Sequence, residues 1–187
     1  MAIALAQLQR PLDIQDYLNA PEDGERFEII NGEMIVVPPP STKHGWLVQE
    51  LGFIFGSFVR SQRLGLIYTA PVGVRLSEND IVEPDLFYVS EARRESLRER
   101  YFDGPPELVV EVMSLSSLRT DRIRKMALYQ RAGVREYWIA DPATESIHIF
   151  ALQNGRLVEQ ENSDGMVRSL LLPGLEIQVE ELFSRIW

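Results

Sequence analysis

Asp85, Glu111 and Lys125 are the residues of this chain whose types could act together on a phosphate ester. Glu111 lies inside the apolar run Leu108, Val109, Val110, Val112, Met113. An isolated ionised carboxylate there is costly, so it needs a partner or a task. Asp85 stands at the mouth of a second apolar run, Leu86 to Val89. Two nearby carboxylates repel, which raises one pKa, and a hard divalent cation such as Mg2+ or Mn2+ relieves that repulsion through oxygen ligation. Such a cation polarises a phosphate and orients water, and a lysine beside it assists deprotonation of the water or stabilises the developing oxyanion. The set is therefore that of metal-dependent phosphodiester hydrolysis. The same residues also have a purely structural reading. Asp85 is then a strand-end acid, Glu111 is salt-bridged to Lys125 or an arginine, and Asp121 with Lys125 is an ordinary i,i+4 helix pair.

The stretch from Glu107 to Pro142 must position two of the three, and it reads as strand, turn, helix, strand. Side chains alternate along Leu108 to Met113, so Glu111 shares a face with Val109 and Met113 while Leu108, Val110 and Val112 face the other way. Both faces are apolar, the mark of an internal strand covered on both sides. A helix from Leu118 to Ala132 and a strand from Glu136 to Ala140 suit a right-handed crossover to a neighbouring strand. On that helix Ile123, Met126 and Ala127 form one apolar row, and Leu118, Asp121, Lys125, Leu128 and Ala132 lie near the opposite side. The second row carries a charged pair between apolar ends, so it packs toward the sheet and aims Lys125 at the strand ends. The first row is then buried by the domain or by a second subunit. Tyr129, one turn beyond Lys125, is within hydrogen-bonding range of the same neighbourhood.

The remaining elements follow from turn chemistry and periodicity. A short helix around Ile14 to Leu18 ends in the turn at Pro21 to Gly24. Asn31-Gly32 joins Arg26 to Ile30 with Glu33 to Val37 as a hairpin, because both turn positions tolerate positive φ, and Glu28 lies on its first strand. Ser41 or Thr42 caps a helix running to about Leu64, with Trp46, Leu47, Leu51, Ile54, Phe55 and Phe58 as its apolar face. His44 falls in its first turn, facing a site or solvent. Leu66 to Ala70 and Val72 to Leu76 read as strands broken by Pro71, and Glu83 to Val89 as another. Residues 91–101 are charged nearly all round and exposed. After residue 146 come strands at Ile147 to Leu152, Arg156 to Glu159 and Val167 to Leu171, with turns at Asn154-Gly155 and Asp164-Gly165 and a short helix near Glu180 to Phe183.

With 187 residues and 45% hydrophobic content the chain is expected to form one domain. There is no cysteine and only His44 and His148, so any metal is held by oxygen. The net charge of -9 argues against a field-driven nucleic-acid coat protein and leaves room for a local basic groove. Lys43 and Lys125 are the only lysines. Arg119, Arg122, Arg124, Arg131 and Arg135 are the candidates for phosphate contact. The N-terminus lacks a signal-peptide pattern and no run approaches roughly 18 apolar residues, so a soluble cytoplasmic protein is expected.

The segments EPDLFYVS, GPPELVVEVMS and DRIRKMALYQRAGVREYWIADP resemble the Uma2 (DUF820) group of endonucleases, within the PD-(D/E)xK restriction-endonuclease-like superfamily. The resemblance spans roughly residues 24 to 180. It implies an α/β fold with a restriction-endonuclease-like mixed central β-sheet flanked by helices, an N-terminal β-hairpin and C-terminal antiparallel strands. Residues 1–187 would be a single such domain, with 1–23 as an extension and 24–180 as the core. It implies Mg2+-dependent (or Mn2+-dependent) cleavage of DNA, with Asp85 and Glu111 as metal ligands, the Val112 carbonyl as a third, and Glu28 and His44 completing the site. Glu50 is a weaker option. In the superfamily the lysine stands two residues after the second acid, where this chain has Met113. The family pattern makes Lys125, on the following helix, its migrated equivalent. A homodimer or higher homo-oligomer is expected, joining basic patches into one groove. The alternative is a catalytically inactive nuclease-fold module that binds or assembles through its two-sided helix and the aromatic pair Tyr137-Trp138.

Overall fold

The two apolar faces of the strand at Leu108–Val112 decide the layering. In the computed structural model, which describes residues 10–20, 25–114, 119–161 and 164–185, with 119–122 through their backbone alone, all five residues of that strand are buried. It is the eighth strand, β8, and lies inside a six-stranded sheet of order β11-β10-β9-β8-β6-β3. The others are β3 (Gly65–Thr69), β6 (Leu86–Ser90), β9 (Glu136–Asp141), β10 (Ser146–Gln153) and β11 (Arg156–Glu159). β8 runs parallel to β9 and antiparallel to β6, so the sheet is mixed. A five-stranded sheet of order β2-β1-β5-β4-β7 lies beside it. It contains β1 (Arg26–Ile30), β2 (Glu33–Val37), β4 (Gly73–Ser77), β5 (Asp80–Val82) and β7 (Tyr101–Asp103).

Leu108, Val110 and Val112 face a core built with the helix α2 (Thr42–Ser61) and the C-terminal segment. Ser41 caps α2, its Oγ accepting from the His44 N–H at 3.2 Å. Leu47, Leu51, Phe55 and Val59 recur every fourth residue, form one buried stripe, and bring Phe55 edge-on to Trp138 at 5.1 Å. Each such side chain contributes about 1.5–3 kcal/mol by leaving water. Val109 faces a second core with Phe87, Tyr137, Ile139, Leu128 and Tyr129, closed by the helix α3 (Arg119–Ala132) and by Ile30, Val74 and Val82 of the smaller sheet. A third cluster packs Leu12 and Ile14, the first residue of the short helix α1 (Ile14–Leu18), on Phe27, Ile29 and Ile81. The chain closes with a separate two-stranded ribbon, β12 (Met166–Arg168) and β13 (Glu176–Gln178), and the helix α4 (Val179–Ser184).

Turn chemistry is observed where expected: Asn31 and Gly32 take φ of 54° and 75°, and Asn154-Gly155 and Asp164-Gly165 are likewise left-handed. The differences concern length and company. α2 stops at Ser61, and its buried stripe is narrower than expected, leaving Trp46, Ile54 and Phe58 half-buried. The chain on either side of the cis Ala70-Pro71 bond enters two different sheets. β5, β7 and β13 are extra, each too short at three residues for a period to be read. The charged stretch holds an exposed 3-10 helix at Glu91–Ser96.

Of the two covers expected for the outer row of α3, the domain supplies little: Leu128 and Tyr129 are fully covered, while Ile123 is 63% exposed and Ala127 lies open. One expectation fails. Tyr137 and Trp138 are 1% and 0% exposed, so they serve the two cores and cannot form an interface. The turn at Pro21 to Gly24, Leu118, and the side chains of Arg119, Asp121 and Arg122 lie outside the described residues. Among the described residues no helix is long and apolar enough to cross a membrane.

Candidate active site

Pairing of Leu86 with Val110 in the antiparallel β6–β8 ladder brings Asp85, the next residue out, level with Glu111. The Val112 N–H donates to Asp85 Oδ2 at 2.8 Å, which ties that carboxylate to the strand carrying Glu111. From the other core, α3 delivers Lys125 to the same point. Its Nζ donates to Glu111 Oε1 and to Glu28 Oε1, each at 3.0 Å. Glu28 reaches the cluster from β1 and also accepts the Glu83 N–H at 2.9 Å. Tyr129 donates its hydroxyl to Glu111 Oε1 at 2.6 Å. His44, fixed by the cap of α2, lies 3.1 Å through Nε2 from Asp85 Oδ2, and its Nδ1 is sealed from solvent with no partner among the described residues.

The electrostatics follow from burial and crowding. Burial pushes the Glu111 carboxyl up, the charges of Asp85 and Glu28 add to this, and Lys125 and Tyr129 offset only part of it, leaving it at about 7. Burial alone would lower Lys125, but Glu111, Glu28 and Asp85 hold its ammonium well above the ordinary range. Burial also opposes a charged His44, and is outweighed by the hydrogen bond and charge of Asp85 and the charge of Glu111, so its pKa is raised. Burial and the charges of Glu111 and Glu28 keep the Tyr129 hydroxyl protonated.

The sequence candidates therefore divide. Glu28, Glu111 and Lys125 are in contact, and Asp85 and His44 form an adjoining pair. Glu50 points elsewhere, with Arg185 at 4.0 Å. Arg124 donates to the Ile30 carbonyl and Glu33, and Arg131 to Asn31 Oδ1 and Asp80. These two arginines clamp α3 to the β1–β2 turn rather than presenting themselves to phosphate. Met113 packs with the second core. Glu83 was not anticipated. It joins Arg26 and the Tyr17 hydroxyl at 2.8 Å each, a neighbourhood that only the β1–β5 pairing creates.

Whether these residues suit a cation depends on which oxygens remain. Among the described residues no three His, Asp or Glu side chains are set to hold an ion by themselves. Mg2+ is commonly held otherwise, by one or two carboxylates with water and substrate oxygens completing its shell. Asp85 Oδ1, Glu111 Oε2 and Glu28 Oε2 carry no hydrogen bond among the described residues and are not sealed from solvent. Open oxygens on crowded carboxylates fit that mode of binding. What the structure records for Val112 is its N–H, given to Asp85.

No curated protein matches the chain. Its fold is similar to that of a solved structure, a "putative nuclease belonging to DUF820" from Anabaena variabilis ATCC 29413, with a TM-score of 0.79 at 19% identity over 95% of this chain and 100% of that one. The Uma2 family, described as "Putative restriction endonuclease", matches residues 14–180, and the chain belongs to it.

Proposed function

We propose that this chain is a divalent-cation-dependent nuclease that hydrolyses phosphodiester bonds in DNA. The observation that carries the reading is the meeting of Lys125 Nζ with Glu111 and Glu28 at 3.0 Å, beside Asp85, from separate elements of the fold. A fold can be held without this arrangement, since an apolar cluster of the same shape is often at least as stable as a buried ion group. Asp85 and Glu111, with the Val112 carbonyl, are the residues that would hold Mg2+ or Mn2+. When bound, the ion supplies charge neutralisation and polarisation at the scissile phosphate.

The chain's own residues supply the rest. Lys125 keeps its proton and offers a fixed positive charge to the oxyanion that develops at phosphorus. Tyr129 and Lys125 both donate to Glu111 Oε1, which leaves Oε2 as the face turned to the ligand. His44 holds Asp85 Oδ2 together with the Val112 N–H and leaves Oδ1 as the corresponding face of Asp85. Glu28 balances the charge of Lys125 and keeps it from collapsing onto Glu111 alone.

The test is cleavage of plasmid and linear DNA with Mg2+ or Mn2+ by the wild type and by Asp85→Asn, Glu111→Gln and Lys125→Met. Each substitution is expected to lower the rate by a factor of at least about 100, with circular dichroism unchanged, and chelation should abolish cleavage. Equal residual cleavage in all four preparations would sink the reading. Assembly as a homodimer or larger oligomer belongs to the same proposal, supported by Ile123 at 63% exposure on the outer row of α3, and sedimentation across protein concentration measures it.

A further inference from the structure

Near the acid cluster lies an open groove of about 530 Å³ that none of the roles above uses; its lining carries Tyr17, Tyr68 and Tyr101, the guanidinium groups of Arg26, Arg98 and Arg100, and the carboxylates of Glu25, Glu83 and Glu99. Its volume is within the range of small-ligand sites, roughly 300–1,000 Å³. Each ring is braced from the protein side. Tyr68 stacks on Phe87 at 5.4 Å, Tyr101 carries the Arg75 guanidinium at 5.9 Å, and Tyr17 meets Phe27 edge-on at 5.7 Å. Gly73 lets Tyr17 lie against β4, since a Cβ there would come within 2.8 Å of the ring. Arg100 is anchored by one nitrogen on the Leu18 carbonyl at 2.6 Å and is otherwise exposed.

The groove is linked to the candidate site through β1 and Glu83. Arg26 and Glu28 are alternate residues on one face of β1, about 7 Å apart by strand geometry, with Arg26 in the groove and Glu28 on Lys125. Glu83 joins the two: its carboxylate holds Arg26 and Tyr17, and its N–H is given to Glu28. Two rings braced on one face and a third held edge-on, interleaved with guanidinium groups and set near the proposed phosphate-cleaving centre, have the chemistry of a platform for bases rather than for paired backbone. A paired base cannot enter a recess of this kind without leaving its stack.

We propose that this groove seats an unpaired nucleotide adjoining the scissile phosphate, so that the chain acts on single-stranded or flapped DNA in preference to continuous duplex. This rests on the nuclease reading for its biological sense, but its test does not. Fluorescence anisotropy is measured in chelator, with a labelled 12-nucleotide single strand and with the blunt duplex of the same sequence. The single strand is expected to bind at least about tenfold more tightly, and Tyr68→Leu and Tyr101→Leu each to weaken it by about tenfold while leaving duplex binding unchanged. Arg100→Gln, at an exposed position, should weaken it several-fold without disturbing the fold. A 2-aminopurine in the strand reports stacking in the wild-type protein itself, through loss of emission on binding. Equal affinity for the two forms, wild-type affinity in the leucine variants, or unchanged 2-aminopurine emission would each overturn the assignment. Strand preference with stacking but no cleavage under Mg2+ would refute the nuclease reading and leave the groove assignment standing.

Discussion

Glu111 holds its proton in the native state more tightly than an ordinary carboxyl, and this makes the metal-free protein sensitive to mild alkali. A group whose folded pKa is raised contributes stability that is complete below its ordinary value of 4.5 and is lost as pH rises through about 7. The melting temperature without metal is therefore expected to fall between about pH 5 and pH 8. Glu111→Gln should flatten that limb, and excess Mg2+ should recover it in the wild type, because the cation favours the ionised carboxylate. His44, also raised, adds to the same limb, so the glutamine variant reduces the slope without abolishing it. Glu136 shows how far an acid in an apolar run can be read from sequence. It opens the apolar run Tyr137 to Ala140, is 1% exposed, and accepts from Trp138 Nε1, Ser169 Oγ and the N–H groups of Leu170 and Leu171 at 2.7–2.8 Å. An acid at the mouth of an apolar strand describes Glu136 as well as it describes Asp85. What separates Glu111 from Glu136 is the company each keeps, an ammonium and two further acids in one case and neutral donors in the other, and that company comes from distant parts of the chain.

At the scale of elements, the docking of α3 decides whether Lys125 arrives. Asp80 accepts from the Asn31 N–H at 2.8 Å, from Ser77 Oγ at 2.7 Å and from Arg131 at 2.9 Å, so it ties the β1–β2 turn, β5 and α3 together. Burial pushes its carboxyl up, and these three donors outweigh it, holding the pKa below 3.8. Its stabilising contribution is thus present above that value and lost as pH falls through the lower folded one. Asp80→Ala is expected to cost about 2 kcal/mol in urea unfolding at neutral pH, to cost progressively less as pH falls below the ordinary carboxyl value, and to slow cleavage without touching substrate. Glu136→Ala should cost about 3–5 kcal/mol, by stranding buried donors, and speed hydrogen exchange at residues 169–172. The helix itself was legible from its period, and so was the inward row with Lys125. What covers its outward row was not legible, because hydrophobic spacing shows a second apolar stripe without showing whether the domain or a second subunit lies against it. The short strands β5, β7 and β13 escaped for a related reason, since long-range pairing rather than local pattern makes them strands.

For the molecule as a whole, the charge of -9 and the internal use of Arg124 and Arg131 leave few cations for phosphate. The logarithm of single-strand affinity is expected to fall with the logarithm of salt at a slope of about -2 to -3, and a slope near -6 would require basic surface supplied by a second subunit. The layered fold was readable from β8 outward because both faces of that strand are apolar. The division into two sheets was not, because the break at Pro71 is only a turn until the partners of each flank are known. The helix-borne lysine carries one more consequence. A lysine on the central strand would be locked by the backbone ladder and would be lost only when the sheet is lost. Here the ammonium rides on a body fastened to its neighbours largely by side-chain ion pairs and one aromatic-lined row, which heat loosens before it melts the sheet. Activity and fold are therefore expected to fail at different temperatures, with inactivation on a slow ramp preceding the unfolding midpoint seen by circular dichroism, and with full recovery on cooling from the interval between them.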